Sequence, residues 1–393
     1  MIIAGESSGE LYGAYLAKAI RRISPEARIA GVGGDRMAAA GVELMSRISS
    51  SFGLVEAIRT YRELKKTFNK TVAALSTFKP QVLVLIDYPD FNLRLAAEAR
   101  KRSVKVLYYV SPQVWAWRKG RINTISRLVD KMAVILPFEE GIYRETGLSC
   151  EFVGHPAMDE IGDVIGSEGF AASDIGSAEL KTRFKARLGL DPKKPLITVM
   201  PGSRRHEISK LLPVLSSTIA GINEKYPDYQ CVIPLAPNID GSLFKSASIP
   251  PSCRLLRDSA IEALAASDAA IIASGTSTLQ AALLQTPMVV VYKLSPLTFF
   301  IGKLIVNVKY IGLVNLLLEN SVSDDSGLRM AELLQDSASA ENIVAELTKI
   351  IDSRAYREDM AFQLVSVRKL YSDKRASARV AEMVHELCNV SSL

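Results

Sequence analysis

Short apolar runs rich in valine and isoleucine, three to six residues long, recur along this chain with helix-periodic segments between them. A run without polar alternation is a strand buried on both faces, which is how strands of a parallel sheet read. Five such runs fall at residues 2–4, 29–32, 82–86, 106–110 and 131–136, and five more at 196–200, 230–233, 254–256, 269–273 and 288–292. The alternation predicts an α/β protein with two doubly wound, Rossmann-like domains. Between the two sets, residues 166–177 are dominated by Gly, Ser and Ala without apolar period and read as a linker. From 340 to 387 the periodicity is helical with no strand. These textures place one domain at 1–170, a second at 185–340, and terminal helices at 341–393 that pack back towards the first domain.

Length agrees with that division, since 393 residues are enough for two to three domains. Apolar residues make up 48% and charged residues 23%, which excludes a disordered or fibrous chain. The formal charge of +6 favours an anionic partner, either a phosphorylated small molecule or an acidic membrane surface. No basic run or aromatic-interleaved basic stripe occurs, so no nucleic acid is expected as a partner. Cysteines at 150, 231, 253 and 388 have neither disulfide-framework nor zinc spacing, the usage of a reduced, intracellular protein. The opening Met1-Ile2-Ile3-Ala4-Gly5-Glu6 lacks the basic flank and long apolar run of a signal peptide, and its brief strand reads as a shortened start. The most apolar stretch, 294–318, is broken by Pro296, Gly302, Lys303, Asn307, Lys309 and Gly312 and is no spanning helix.

Two such domains facing each other would bind ligand in the cleft at the carboxyl ends of their strands, and the polar motifs lie just after strands. Gly5-Glu6-Ser7-Ser8-Gly9 leaves the first run and enters a helix. It is either an anion or sugar-hydroxyl seat or a turn in which Ser7 or Ser8 caps the helix. Asp87-Tyr88-Pro89-Asp90-Phe91-Asn92 puts two carboxylates three residues apart after the run at 82–86. Asp90 is there either a general base or a helix cap. The loop from Ser111 to Arg118 holds both tryptophans, Trp115 and Trp117, beside Arg118, Lys119 and Arg121. Aromatic faces suit sugar rings or acyl chains and the cations suit phosphate, the alternative being a packed loop.

The second half repeats the arrangement. Pro201-Gly202-Ser203-Arg204-Arg205-His206 follows the run at 196–200 and suits a diphosphate clamp, with His206 on the helix surface. Ser274-Gly275-Thr276-Ser277 follows the run at 269–273 and opens a helix, as a pyrophosphate seat or an ordinary capped start. No Walker, HExxH or GxSxG sequence occurs. Along 54–70, Leu54, Ala57, Ile58, Tyr61, Leu64 and Phe68 share one helical face and Arg59, Arg62, Lys66 and Lys70 the other. That pattern fits an acidic bilayer or a helix packed on its own sheet.

Taken in order, Gly5-Glu6-Ser7-Ser8-Gly9, Asp87-Tyr88-Pro89-Asp90-Phe91-Asn92, Ser111-Pro112-Gln113-Val114-Trp115-Ala116-Trp117-Arg118, Leu136-Pro137-Phe138-Glu139, Val153-Gly154-His155-Pro156, Pro201-Gly202-Ser203-Arg204 and Ser274-Gly275-Thr276 resemble the lipid-A-disaccharide synthase family. The resemblance spans roughly residues 2–317 and implies a GT-B fold, two Rossmann-like domains facing a central cleft with C-terminal helices. It implies an inverting glycosyltransferase that moves 2,3-diacylglucosamine from UDP-2,3-diacylglucosamine to the 6-hydroxyl of 2,3-diacylglucosamine 1-phosphate (lipid X). That reaction releases UDP and belongs to the cytoplasmic face of the inner membrane of a Gram-negative-type cell. Carried over by motif, Asp90 resembles the general base, and Arg204, the 274–276 turn and Asn315 resemble UDP-side or cleft-lining groups. The resemblance further implies no metal, no other cofactor, peripheral membrane association and a homodimer.

The chain departs from the pattern at Gln280, where related transferases carry a ribose-holding glutamate, and at Glu10, where the family has aspartate. After Asn315-Leu316-Leu317 it has Leu318-Glu319-Asn320-Ser321 in place of Gly-Arg-Glu. Two other readings stand beside the transferase: a UDP-N-acetylglucosamine 2-epimerase-like isomerase, and a non-catalytic binder of nucleotide sugar or lipid.

Overall fold

The computed structural model describes residues 1–47, 54–115, 119–237, 239–245, 249–294, 309–322 and 327–390. Two compact units divide the chain: Met1–Asp159 with Lys374–Leu393, and Glu160–Asp373.

The first unit begins β1 (Ile2–Ala4), α1 (Ser7–Ile23), β2 (Ala30–Gly33), α2 (Asp35–Ala39), β3 (Glu43–Arg47), α3 (Leu54–Thr77) and β4 (Val82–Ile86). It continues α4 (Pro89–Arg100), β5 (Lys105–Tyr109), α5 (Ile122–Leu128), β6 (Lys131–Val134), α6 (Glu139–Arg144) and β7 (Ser149–Phe152), after which α7 (Ala157–Gly166) leads into the second unit. Its seven strands lie in the order β3-β2-β1-β4-β5-β6-β7, every pair parallel. All five residues of β4 are buried, which is why 82–86 reads as an unbroken apolar run. The core around it includes Leu83, Leu85, Val106, Tyr108, Met132, Val134 and Tyr143.

The second unit holds α8 (Ala178–Arg187), β8 (Leu196–Met200), α9 (Arg205–Lys225), β9 (Gln230–Leu235), α10 (Ser242–Lys245), β10 (Cys253–Arg257), α11 (Ala260–Ala266) and β11 (Ala269–Ala273). After these come α12 (Thr276–Leu283), β12 (Met288–Tyr292), α13 (Leu313–Ser321), β13 (Glu332–Leu334), α14 (Ala340–Asp352) and α15 (Arg354–Lys369). The six strands are ordered β10-β9-β8-β11-β12-β13, again all parallel. The last helix, α16 (Ala376–Val390), packs on α1 in the first unit.

Both sheets carry the doubly wound signature. Strand order runs one way from β1 to β3 and the other way from β4 to β7, so the switch point lies between β1 and β4. In the second sheet it lies between β8 and β11. With right-handed crossovers, this reversal puts successive helices on opposite faces and leaves a crevice at the switch.

The units differ from the sequence-based boundaries in two respects. The division falls between Asp159 and Glu160, in the first turn of α7, rather than at 170. Of the helices in 341–393, α14 and α15 stay with the second unit and only α16 returns to the first. Part of the broken apolar stretch, residues 295–308, lies outside the described residues. Among the described residues no helix is long and apolar enough to cross a membrane.

Candidate active site

The polar motifs stand on the two switch points. In the first unit Gly5–Gly9 follows β1 and Asp87–Asn92 follows β4, the strands that flank the reversal. The two loops touch closely: a Cβ on Gly5 would lie 2.3 Å from Tyr88 Cγ, so only glycine admits the tyrosine ring there. Glu6 is the N-cap of α1 without a side-chain cap bond, which leaves Ser7 and Ser8 as the first helical residues and not caps. Glu6 and Ser7 are exposed, Ser8 is half-buried and Gly9 is buried against Ile86 and Ala4. Helix α1 therefore presents open backbone N–H groups beside two exposed polar side chains, a seat for a negative or hydroxyl group. The departure at Glu10 has a structural use, since Glu10 Oε1 accepts the Arg36 N–H at 2.8 Å at the start of α2.

After β4 the backbone is strained. Asp87 and Tyr88 both have φ +47°, and Val110, just after β5, has φ +67°, unusual for a β-branched residue. Asn92 explains how the turn is held. It is fully buried, and its amide donates to Ile86 O at 3.2 Å and Asp87 O at 2.7 Å, while Tyr108 Oη donates to Asp87 O at 2.6 Å. Asn92 thus shapes the loop from below, and Asp87 and Asp90 are what the loop displays. The helix-cap alternative for Asp90 fails, because α4 starts at Pro89 with Tyr88 as N-cap. Asp90 is exposed in the first helical turn, and Arg121 Nη2 donates to its Oδ1 at 2.6 Å.

The loop after β5 is anchored inward. Ser111 is buried, donates to Pro112 O at 3.0 Å and shares a 2.7 Å hydrogen bond with the Tyr143 hydroxyl. Trp115 Nε1 donates to Glu139 Oε1 at 3.1 Å, and its ring meets Phe138 edge-on at 5.3 Å. Glu139 also accepts the Leu136 N–H at 3.2 Å. Burial pushes the Glu139 carboxyl up to about 8, against the pull of the Trp115, Leu136 and Ile135 hydrogen bonds. Trp117 and Arg118 lie outside the described residues. His155 of the Val153–Pro156 motif is buried, and its Nδ1 accepts the Ala157 N–H at 3.0 Å where α7 begins. Burial lowers it to about 3, so at neutral pH it is an uncharged structural group.

The second unit repeats the placement, with 202–204 after β8 and 274–277 after β11. Gly202 takes φ +108°, which turns the chain into α9. Ser203 and Arg204 are exposed at the helix entrance, and Arg204 Nη1 donates to Glu207 Oε1 at 3.2 Å. His206 is exposed on α9. Gly275, with φ +152°, is the N-cap of α12, and a Cβ there would meet nothing within 4 Å. Ser274 donates to Ile311 O at 3.1 Å, and Thr276 and Ser277 form the open first turn. This end of α12 is uncapped by any side chain, so its partial positive charge faces the space after β11.

Like Asn92 and Ser111, two more expected binding residues have structural duties. Asn315 is fully buried: Nδ2 donates to Met330 O and Glu332 Oε1, both at 2.8 Å, and Oδ1 accepts the Met330 N–H at 2.8 Å. It ties α13 to the β13 region. Gln280 Nε2 donates to Glu160 Oε2 at 3.0 Å, so a carboxylate stands beside the amide that replaces glutamate. Tyr143, Glu160 and Glu332 escape the sequence reading, Glu139 appears in it only as the end of Leu136-Pro137-Phe138-Glu139, and Arg121 is read as a phosphate-side cation whereas the structure pairs it with Asp90. Among the described residues no group of His, Cys, Asp and Glu side chains is placed to hold a metal ion.

Two all-parallel doubly wound sheets with open loops at their switch points define a protein of the GT-B class. The fold is similar to that of S. aureus MnaA in its co-structure with UDP, with TM-score 0.65, 14% identity and coverage of 99% of this chain and 96% of that one. It is similar also to the calicheamicin glycosyltransferase, with TM-score 0.57, 14% identity and 100% and 98% coverage. Sequence narrows the class. A family model described as lipid-A-disaccharide synthetase matches residues 1–382, and the chain belongs to that family. Proteins named lipid-A-disaccharide synthase from Geobacter sulfurreducens and Myxococcus xanthus are 40% and 39% identical over 391 and 393 residues. Those matches cover 98% of this chain in each case and 96% and 97% of the relatives. The chain is accordingly an enzyme of the glycosyltransferase kind.

Proposed function

We propose that the protein transfers 2,3-diacylglucosamine from its UDP derivative to the 6-hydroxyl of 2,3-diacylglucosamine 1-phosphate, with inversion at the anomeric carbon and release of UDP. One observation carries this reading: curated relatives of that name match nearly the whole chain at up to 40% identity. The chemistry divides between the units. Inversion needs a base to take the acceptor hydroxyl proton, and Asp90, exposed and oriented by Arg121 after β4, is the carboxylate offered. The departing diphosphate needs positive charge that is already in place. Arg204 and the N-terminus of α12 at Gly275–Ser277 supply it in the second unit. Glu6, Ser7, Ser8 and Asp87 would contact sugar hydroxyls at the first switch point, and Trp115 would pack a ring or an acyl chain. Glu160, held by Gln280, would meet the nucleotide ribose.

The acceptor and donor are lipids, so the enzyme would work at an acidic membrane face on the cytoplasmic side, as a homodimer. Helix α3 supports that placement: Arg62, Lys65, Lys66 and Lys70 are exposed, while Leu64 is half-buried and Phe68 packs on the core, meeting Phe91 edge-on at 5.4 Å. Side chains at 54–61, including Arg59, lie outside the described residues.

Mass-detected transfer in mixed micelles, with and without acceptor and with no added metal, tests the reading. Acceptor-dependent disaccharide is expected, and Asp90→Asn should lower turnover by about 100-fold or more while UDP binding persists. UDP-sugar interconversion without acceptor would overturn the transferase in favour of an isomerase. Binding of UDP with no product would favour a non-catalytic binder.

A further inference from the structure

At the opposite end of the second sheet from the loops just described, four adjacent strands, β9, β8, β11 and β12, begin around one cavity of about 590 Å³. Its lining holds four cations, Lys181, Lys185, Lys193 and Arg357, and one carboxylate, Asp268. The surplus of positive charge is built into the fold. Lys181 and Lys185 stand one helical turn apart on α8, and their ammonium groups reach Asp268 Oδ1 at 2.9 Å and Oδ2 at 3.1 Å. Asp268 is spent further by accepting the Leu196 N–H at 2.9 Å, which pins it to the start of β8. Lys185, only 6% exposed, also donates to Lys194 O at 2.9 Å. One carboxylate therefore serves two lysines. Among the described residues neither Lys193 nor Arg357 pairs with any carboxylate, and Arg357 is held in place by donating to Ile350 O and Ile351 O at 2.8 and 2.9 Å.

Charge on one side is matched by apolar wall on the other. Pro195, Tyr229, Pro287, Ile350, Ile351 and Ala361 give the apolar part of the lining, and Gly176 and Gln285 complete it. Cavities of this size take small molecules rather than single ions. Cations clustered in a partly desolvated cavity repel one another unless an anion joins them, and guanidinium and ammonium groups suit phosphate oxygens.

We infer that this cavity is a second binding site, separate from the switch-point loops, for a phosphorylated small molecule that lays an apolar or ring face against Tyr229, Pro287 and Ile350 and its phosphate among Lys181, Lys193 and Arg357. Doubly wound sheets place substrate at the carboxyl ends of their strands, so a ligand at the amino ends acts on the unit from outside the reaction.

Calorimetric titration of the full chain with phenyl phosphate and with inorganic phosphate tests it, using wild type, Lys193→Ala, Lys193→Glu and Arg204→Ala. Lys193 is exposed, so its variants keep the fold. Phenyl phosphate is expected to bind more tightly than inorganic phosphate, to lose about tenfold in affinity in Lys193→Ala and to bind undetectably in Lys193→Glu. Arg204→Ala, which removes phosphate binding at the switch-point loops, should keep the binding that Lys193 controls. Absence of binding, affinity untouched by the Lys193 changes, or loss in Arg204→Ala instead would each overturn the site. Equal affinity for the two probes would overturn the role of the apolar wall.

Discussion

Gly5 has no room for a methyl group, because the Tyr88 ring already occupies the place a Cβ would take, 2.3 Å from Cγ. Gly5→Ala must push Tyr88 out of its left-handed turn, and the expected cost is about 1–3 kcal/mol of stability, measured by urea unfolding. Transfer should fall by more than stability explains, since the displaced residue joins Asp87 to Asp90. Glu139 behaves differently. Its folded-state value of about 8 stands well above the ordinary 4.5 of a free glutamate, chiefly through burial. Between those two values the folded chain keeps a proton that the unfolded chain has lost, so this group makes stability fall as pH rises from about 5 to 8, by up to about 1.4 kcal/mol per unit. Above 8 its contribution is flat. Glu139→Gln should remove that slope from thermal melts taken across the range, and an unchanged slope would assign the pH dependence elsewhere. These residues also show where sequence reading stops. The right loops are legible from strand ends and glycines, but the facing of an amide is not. Asn92 and Asn315 sit in the expected motifs and turn both donors onto backbone carbonyls or a carboxylate within their own unit.

Among the elements, those missed in the sequence share one property. β3, β7 and β13 are edge strands, with partly exposed residues throughout, whereas β1, β4, β8 and β11 are central and almost wholly buried. An edge strand of a doubly wound sheet can carry polar residues on its wet side and so lose the unbroken apolar run that announces its neighbours, although β10, also at an edge, keeps Leu255-Leu256 and is read at 254–256. β13 shows what such a strand contributes. Glu332 accepts the Ile311 N–H at 2.8 Å, the Gly312 N–H at 3.1 Å and the Asn315 amide at 2.8 Å, and thereby fixes the start of α13. Because Ser274 in turn donates to Ile311 O, the loop at the second switch point rests on this carboxylate. Glu332→Gln puts an N–H donor where an acceptor is needed. The expected loss is about 2 kcal/mol, with faster amide exchange at Ile311 and Gly312 as the direct readout. Unchanged exchange at both would show that the loop holds itself without β13.

For the whole molecule, helical character in 340–387 is plain from sequence, but the unit each helix joins is not, since an apolar helical stripe fits either sheet equally well. The structure assigns α14 and α15 to the second unit and α16 to the first. There Val380, Ala381, Met383 and Leu387 are buried, and Arg379 forks onto Glu151 of β7 at 2.7 and 2.8 Å. Burying four such side chains is worth about 1–3 kcal/mol each, a total comparable with the whole net stability of an ordinary domain, about 5–15 kcal/mol. The first unit is therefore incomplete as residues 1–159, whereas 160–373 is contiguous and self-contained. Expressed alone, 160–373 should unfold in one cooperative transition by circular dichroism. The 1–159 fragment should lack a cooperative melt and regain one when a peptide covering 374–393 is added, because α16 restores the apolar face of α1 from outside the chain. A sharp melt of 1–159 without the peptide would mean that α16 only covers a core the rest of the unit already completes.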